Sequence, residues 1–176
     1  MDIAFGLHQL GVIAQEQGNL VEARRLYEES LEINQRLDNQ GIIAATFRQL
    51  GGVARQLGEL SEARGLYEKS LEINKRLGDQ IGVSRTLNEL GLIVQEEGRF
   101  DVARRLFSES LEISKTLGDR QGIAITLHQL GLIGEGENNK MEAAGLIREA
   151  LTIFEKLGSP YAEESRRALS RIEDIS

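Results

Sequence analysis

Two kinds of side chain in this sequence could do chemistry. The only histidines, His8 and His128, lie in identical pentapeptides, Leu-His-Gln-Leu-Gly, at residues 7–11 and 127–131. Imidazole changes charge near neutral pH and is a frequent metal ligand, so a repeated His motif raises the question of a site. The second kind is the carboxylate, plentiful at Glu28, Glu29, Glu32, Glu68, Glu72, Glu109 and Glu112. Neither set has company that would make it catalytic. There is no G-x-x-x-x-G-K-[ST], and "GENNK" at 136–140 lacks the second Gly and the Ser/Thr; no HExxH, EF-hand loop or G-x-S-x-G occurs either. Without Cys, thiolate metal sites and disulfide scaffolds are excluded. A non-enzyme with no cofactor and no metal is the expectation.

Composition narrows the class. Apolar residues make up 40% of 176, enough for a core, and the single Pro, at 160, leaves long helices unhindered before it. The aromatic share of 5% argues against a β-sandwich and against base-stacking surfaces. A formal charge of −7 disfavours general attraction to nucleic acid or anionic lipid. No apolar run reaches the roughly 18–20 residues of a membrane span, and no basic segment followed by an apolar one marks a secretory signal. A cytoplasmic setting is expected, with neither nucleic acid nor membrane as partner.

The elements that must position these residues come from a repeat. Leu10-Gly11 recurs as Leu50-Gly51, Leu90-Gly91 and Leu130-Gly131, always 40 residues on. "EARRLYEESLEI" at 22–33 recurs as "EARGLYEKSLEI", "VARRLFSESLEI" and "EAAGLIREALTI" at the same interval. The two His pentapeptides therefore hold equivalent places in units one and four. A period of this length means stacked supersecondary units. Each reads as two helices: an A helix such as Gln40 to about Leu57, apolar at Ile43, Phe47, Leu50, Val53 and Ala54, then a B helix carrying Ala63, Leu66, Tyr67, Ser70, Leu71 and Ile73. The turns between them hold Gly18, Gly58, Gly98 and Asn138; the B helices end at Gly78, Gly118 and Gly158, with Asp38 once. Asn39, Asp79, Asp119 and Ser159 read as N-caps of the following helices. The mid-helix glycines 11, 51, 91 and 131 imply close approach of a neighbour, with Ala23, Ala63, Ala103 and Ala143 as the expected partners. The carboxylates fall on outer faces of B helices, where charge solvates the surface.

The pattern resembles the tetratricopeptide repeat family. The matching residues are Leu7, Leu10, Gly11, Ala14, Ala23, Tyr27 and Ser30 in the first unit, and Phe47, Leu50, Gly51, Ala54, Ala63, Tyr67 and Ser70 in the second. Units three and four follow with Leu87, Leu90, Gly91, Val94, Ala103, Phe107, Ser110 and, more loosely, Leu127, Leu130, Gly131, Gly134, Ala143, Ile147, Ala150. The 40-residue unit resembles the long-repeat subclass seen in kinesin light chains and in sensor arms of signalling ATPases. The resemblance implies a right-handed all-α solenoid of four helix-turn-helix repeats, at 4–43, 44–83, 84–123 and 124–158, closed by a capping helix at 159–176. That last helix carries Tyr161, Ala168, Leu169 and Ile172 as its apolar stripe, with Arg166, Arg167 and Arg171 facing out.

In this family the A helices line a concave groove. The groove positions implied are Phe5, His8, Val12 and Gln15; Ala45, Arg48, Gly52 and Arg55; Arg85, Asn88, Leu92 and Gln95; Ile125, His128, Leu132 and Glu135. Gln49 joins them as the second member of the residue pair that in kinesin-light-chain-type repeats holds peptide backbone. Three Arg in one groove of an acidic chain suit an acidic or phosphorylated peptide. The plainer reading is solvated surface paired with Glu89 or Glu96, and both stand at this point. His8 and His128, three units apart, lie too far from each other to share a metal, so each reads as a solvated or hydrogen-bonded groove residue. The function implied is a protein- or peptide-docking scaffold, as in the sensor arm of a larger signalling protein; the alternative is an architectural spacer or self-assembly module with no groove ligand. Ile3, Phe5 and Leu7 open the first A helix with nothing before them. That edge is expected to need a preceding segment or a second copy.

Overall fold

A residue with left-handed backbone stands at every twentieth position, at 18, 38, 58, 78, 98, 118, 138 and 158. Glycine fills six of these places; Asp38 (φ 53°) and Asn138 (φ 61°) fill the others, being the residue types whose short polar side chains best tolerate that region. Each left-handed residue ends a helix by letting the next amide reach back. Asn19 N–H bonds Ala14 C=O at 2.8 Å, and the same bond runs from Glu59 to Ala54, Asp79 to Asn74 and Ser159 to Phe154. This is the Schellman pattern, which satisfies carbonyls a helix end would otherwise leave open.

A computed structural model describes residues 3–174. Between the turns run α1 (Ile3–Glu16), α2 (Leu20–Arg36), α3 (Gln40–Gln56), α4 (Leu60–Leu77), α5 (Gln80–Glu96), α6 (Phe100–Leu117), α7 (Arg120–Gly136), α8 (Lys140–Leu157) and α9 (Tyr161–Asp174). Among the described residues there is no other regular element, and the fold is the all-α repeat fold that the period implied. Of the expected N-caps, Asp79 and Asp119 each accept an amide three residues on, from Gly82 and Gly122, at 3.0 Å. Asn39 does not cap α3; its amide donates instead to Asn34 Oδ1 at 3.1 Å. Ser159 accepts only a long bond, 3.4 Å, from Tyr161 N–H.

The chain divides into two compact units, one reaching to Ile93 and the other starting at Val94. In the first, α1 packs on α2, α2 on α3 and α3 on α4. Its core gathers Ala14, Ala23, Leu26, Tyr27, Leu50 and Val53, flanked by Leu7, Val12, Leu20, Leu31 and Leu66. Burying each large side chain of this set stabilises by about 1.5–3 kcal/mol. Gly11 and Gly51 do mark a close approach, but there the nearest partner is not the expected alanine. A Cβ at Gly11 would lie 2.7 Å from Tyr27 Cε1, and one at Gly51 would lie 2.7 Å from Tyr67 Cε1. The flat ring, lying over the backbone, is what excludes a side chain. Polar groups thread the same core: Ser30 Oγ donates to Ala4 C=O at 2.8 Å, Asn34 Nδ2 to Ser30 C=O at 2.9 Å, and Ser70 Oγ meets Thr86 Oγ1 at 3.3 Å.

In the second unit α6 packs on α7, α7 on α8 and α8 on α9, and α9 also touches α7. Ala168 and Ile172 of α9 are buried with Ala143 and Ile147, while Leu132, Ala144 and Leu169 pack alongside. Arg166, Arg167 and Arg171 are exposed, each paired with a carboxylate. Tyr161 departs from the expected stripe. It is largely exposed, its ring tilted against Phe154 at 5.7 Å.

The first A helix differs from its counterparts in burial. Leu50, Leu90 and Leu130 are each under a tenth exposed, whereas Leu10 is 53% exposed. Ile3 (73%) and Ile13 (49%) share that face of α1, where Ile43 and Val53 of α3 are buried. Phe5 is exposed as well, and Leu7 packs on the core. The difference has a simple cause. In α3 this face lies against α2, and among the described residues nothing lies there on α1.

Candidate functional site

In the first unit the anticipated residues of α1, α3 and α5 separate into packed and open ones. His8 is half-buried, its ring tilted against Tyr27 at 5.3 Å and its Nδ1 3.5 Å from Thr46 Oγ1. Burial, then the neighbouring Arg48, lowers its pKa from the ordinary 6.5. Val12 packs on the core. Gln15 Oε1 accepts the Tyr27 hydroxyl at 3.0 Å, and burial pushes that phenol up to about 12. Gln49 and Leu92 are half-buried, and Asn88 is buried.

The three arginines fare differently. Arg55 donates to the Tyr67 hydroxyl, which in turn donates to Glu89 Oε2 at 3.1 Å. Burial, with Glu89 beside it, raises the Tyr67 pKa. Arg55 is thus tied into the packing, close to the plainer of the two readings. Arg48 and Arg85 have neither hydrogen bond nor ion pair among the described residues. Both line one half-open cavity of about 90 Å³ between α3, the end of α4 and the start of α5. Gly41, Ala45 and Gly82 keep it clear of bulk, and Asn74, Asp79 and Ile81 complete its wall. Guanidinium groups are donors that suit an anion, and two arginines without an ion pair among the described residues line this recess.

Asn74, Asp79 and Gly82 were not among the anticipated site residues. Asp79 is visible in the sequence as a cap, and capping is its local role; that it also lines the cavity follows only from how α4 hands over to α5. Gly82 has a packing reason: a Cβ there would fall 2.6 Å from both Asn74 Cγ and Asp79 Oδ2.

In the second unit His128 is buried rather than solvated. It is 5% exposed, with Ser165 Oγ of α9 at 3.0 Å from Nδ1 and Glu164 Oε1 at 3.6 Å from Nε2. Burial outweighs Glu164, and its pKa is lowered. Helix α9 covers it because Ser165 stands against His128 as Thr46 stands against His8. Each imidazole thus meets a hydroxyl on a later helix of A type. Leu132 packs in part against the core of this unit, and Gln95 is half-buried. Glu135 holds Arg171 of α9 through two bonds, at 2.6 and 2.7 Å, and this pairing pulls its carboxyl below the usual range. Among the described residues no group of three or more His, Cys, Asp or Glu could hold a metal, and no helix is long and apolar enough to cross a membrane.

The tetratricopeptide repeat pattern matches residues 2–76 and 82–156. No curated protein resembles the chain closely enough in sequence to count as a relative. Several solved structures share the fold. BtubC (BKLC) from P. vanneervenii is 21% identical with a TM-score of 0.81, over 96% of this chain and 70% of that one. A kinesin-light-chain-type protein of Podospora anserina is 20% identical with a TM-score of 0.72, over 96% of this chain and 84% of that one. A Rap protein crystallised with Competence and Sporulation Factor is 16% identical with a TM-score of 0.86; 96% of this chain matches 47% of it.

Proposed function

Because the chain belongs to the tetratricopeptide repeat family, we propose that it is a non-catalytic docking scaffold that receives a protein or peptide on the face of its first unit formed by α1, α3 and α5. The observation that carries this reading is the pair Arg48 and Arg85, without an ion-pair partner among the described residues and lining one recess. Elsewhere in this acidic chain Arg24, Arg25, Arg104 and Arg171 all hold carboxylates of the chain itself. Leaving two guanidinium groups open beside a cavity fits a partner that supplies the acid. A Rap protein of the same fold has been crystallised with Competence and Sporulation Factor, which makes a ligand on such a scaffold a natural expectation. A role as the sensor arm of a longer signalling protein, in the cytoplasm, goes with this reading.

The test is selection of binding peptides from a random display library, followed by the same peptides against Arg48→Glu/Arg85→Glu. Binding should be lost in the double variant while its thermal melt stays near wild type. It should also weaken with salt, since exposed charges are screened beyond about 10 Å at 0.1 M. Peptides that bind the double variant as well as the wild type would remove the Arg pair from the mechanism. The second reading, self-assembly without a groove ligand, is favoured by the exposed face of Ile3, Leu10 and Ile13. It gains if no peptide is selected and the chain associates with itself.

A further inference from the structure

The recess between α3 and α5 holds an acid of its own. Asp79 lines the cavity with Arg48 and Arg85. One oxygen, Oδ1, is occupied by the Gly82 amide at 3.0 Å, so the side chain is fixed in place as the cap of α5. Two guanidinium groups and one carboxylate leave the recess with a net charge near +1.

Resting on the docking role of this face, we propose that the recess is a pocket for a single carboxylate, an Asp or Glu side chain of the partner, and that it discriminates against phosphorylated side chains. Two features point that way. The first is charge. A carboxylate brings the recess to neutrality, whereas a phosphorylated residue carries about −1.5 to −2 and leaves an excess beside Asp79. The attraction an anion gains grows with its charge, but the hydration it gives up grows with the square of that charge, so the dianion is penalised on entering a partly enclosed space. The second is the helix end. The N-terminus of α5 is the natural source of amide donors for a phosphate, and Asp79 already takes the Gly82 amide there.

Asp79→Asn separates these effects, because Asn can accept the same Gly82 amide and is an equally good cap. The full chain is observed by the NMR signals of the Arg48 and Arg85 Nε–H groups, assigned with Arg48→Lys and Arg85→Lys. The probes are acetyl-Gly-Glu-Gly-amide, its phosphoserine counterpart and its Gln counterpart, at fixed ionic strength and pH 7.5. The Glu peptide should shift both signals to saturation, the phosphoserine peptide should bind about tenfold more weakly, and the Gln peptide should do nothing. In Asp79→Asn, whose melt should match wild type, the phosphoserine peptide should gain at least that factor relative to the Glu peptide. Phosphoserine binding wild type as well as Glu does, or no relative gain in Asp79→Asn, would overturn the carboxylate preference and leave the docking face standing. If no probe shifts either Arg, the docking reading of this recess fails with it.

Discussion

Gly51→Ala sets two large and opposite effects against each other. In mid-helix, Ala is favoured over Gly by about 1 kcal/mol. Against that stands Tyr67, whose Cε1, Cδ1 and Cζ would lie 2.7, 2.8 and 3.0 Å from the new Cβ. The ring cannot easily yield: it is fully buried, its hydroxyl donates to Glu89 and it accepts from Arg55. Forcing an atom into such packing costs about 1–3 kcal/mol, and straining the Tyr67–Glu89 bond adds about 0.5–1.5. The net is a loss of about 0.5–3.5 kcal/mol. Gly65→Ala is the control. It lies within α4, and a Cβ there meets nothing within 4 Å, so the helix preference acts alone and should stabilise by up to about 1 kcal/mol. Paired thermal melts decide, at about 2–4 °C per kcal/mol for a chain of this size. Gly51→Ala should melt below wild type and Gly65→Ala slightly above. A Gly51→Ala melt equal to or above wild type would refute the claim that the Tyr67 ring requires glycine there.

The edge predicts an asymmetry between equivalent leucines: Leu50→Ala, 5% exposed, should cost about 2–5 kcal/mol, and Leu10→Ala no more than about half of that, so equal losses in urea melts would contradict the exposure of α1. His128 has its pKa lowered, so the unfolded chain binds the proton more readily than the folded one. Its contribution to stability is full above the ordinary value of 6.5 and falls as pH drops through it. Melts at pH 7.5 and 5.5 should show that decline, reduced in His128→Asn but not abolished, because His8 acts with the same sign; a wild-type melt unchanged between these pH values would count against a neutral buried imidazole. If the exposed face of α1 pairs copies of the chain, Ile3→Gln should move the molecule toward monomer when sized at several concentrations. A strictly monomeric wild type, with α1 as protected from hydrogen exchange as α3, would show that this face needs no cover.

Period and chemistry of turns were legible from residues alone because both are local. The left-handed places at Asp38 and Asn138 could be read from residue type, and α3 ends within a residue of its expected limit. What could not be read depended on neighbours distant in the chain. Leu10 and Leu50 are the same residue in the same motif, and only α2 lying on one of them makes their burial differ. His8 and His128 sit in identical pentapeptides, yet Ser165 of α9 buries one more deeply than Thr46 buries the other. The glycine column announced a close approach, but the choice between Ala23 and Tyr27 as partner depended on the direction of a side chain. Arg55 and Arg48 could not be told apart by type; Tyr67 and Glu89 occupy one and leave the other open.

The left-handed residue at every twentieth position also governs how this protein can change in length. One residue added inside a helix turns everything after it by about 100°, because 3.6 residues make a turn. Such an insertion would carry Tyr67 away from Gly51, or Ser30 away from Ala4, and break the contacts of every later helix in register. Insertions of one or two residues are therefore tolerable only at the turns, where the backbone already reverses. A larger change must come as forty residues at once, a whole helix pair with both of its left-handed turns. Length in this architecture is quantised, and duplication of an entire hairpin is the route by which it can grow without disturbing what is already packed.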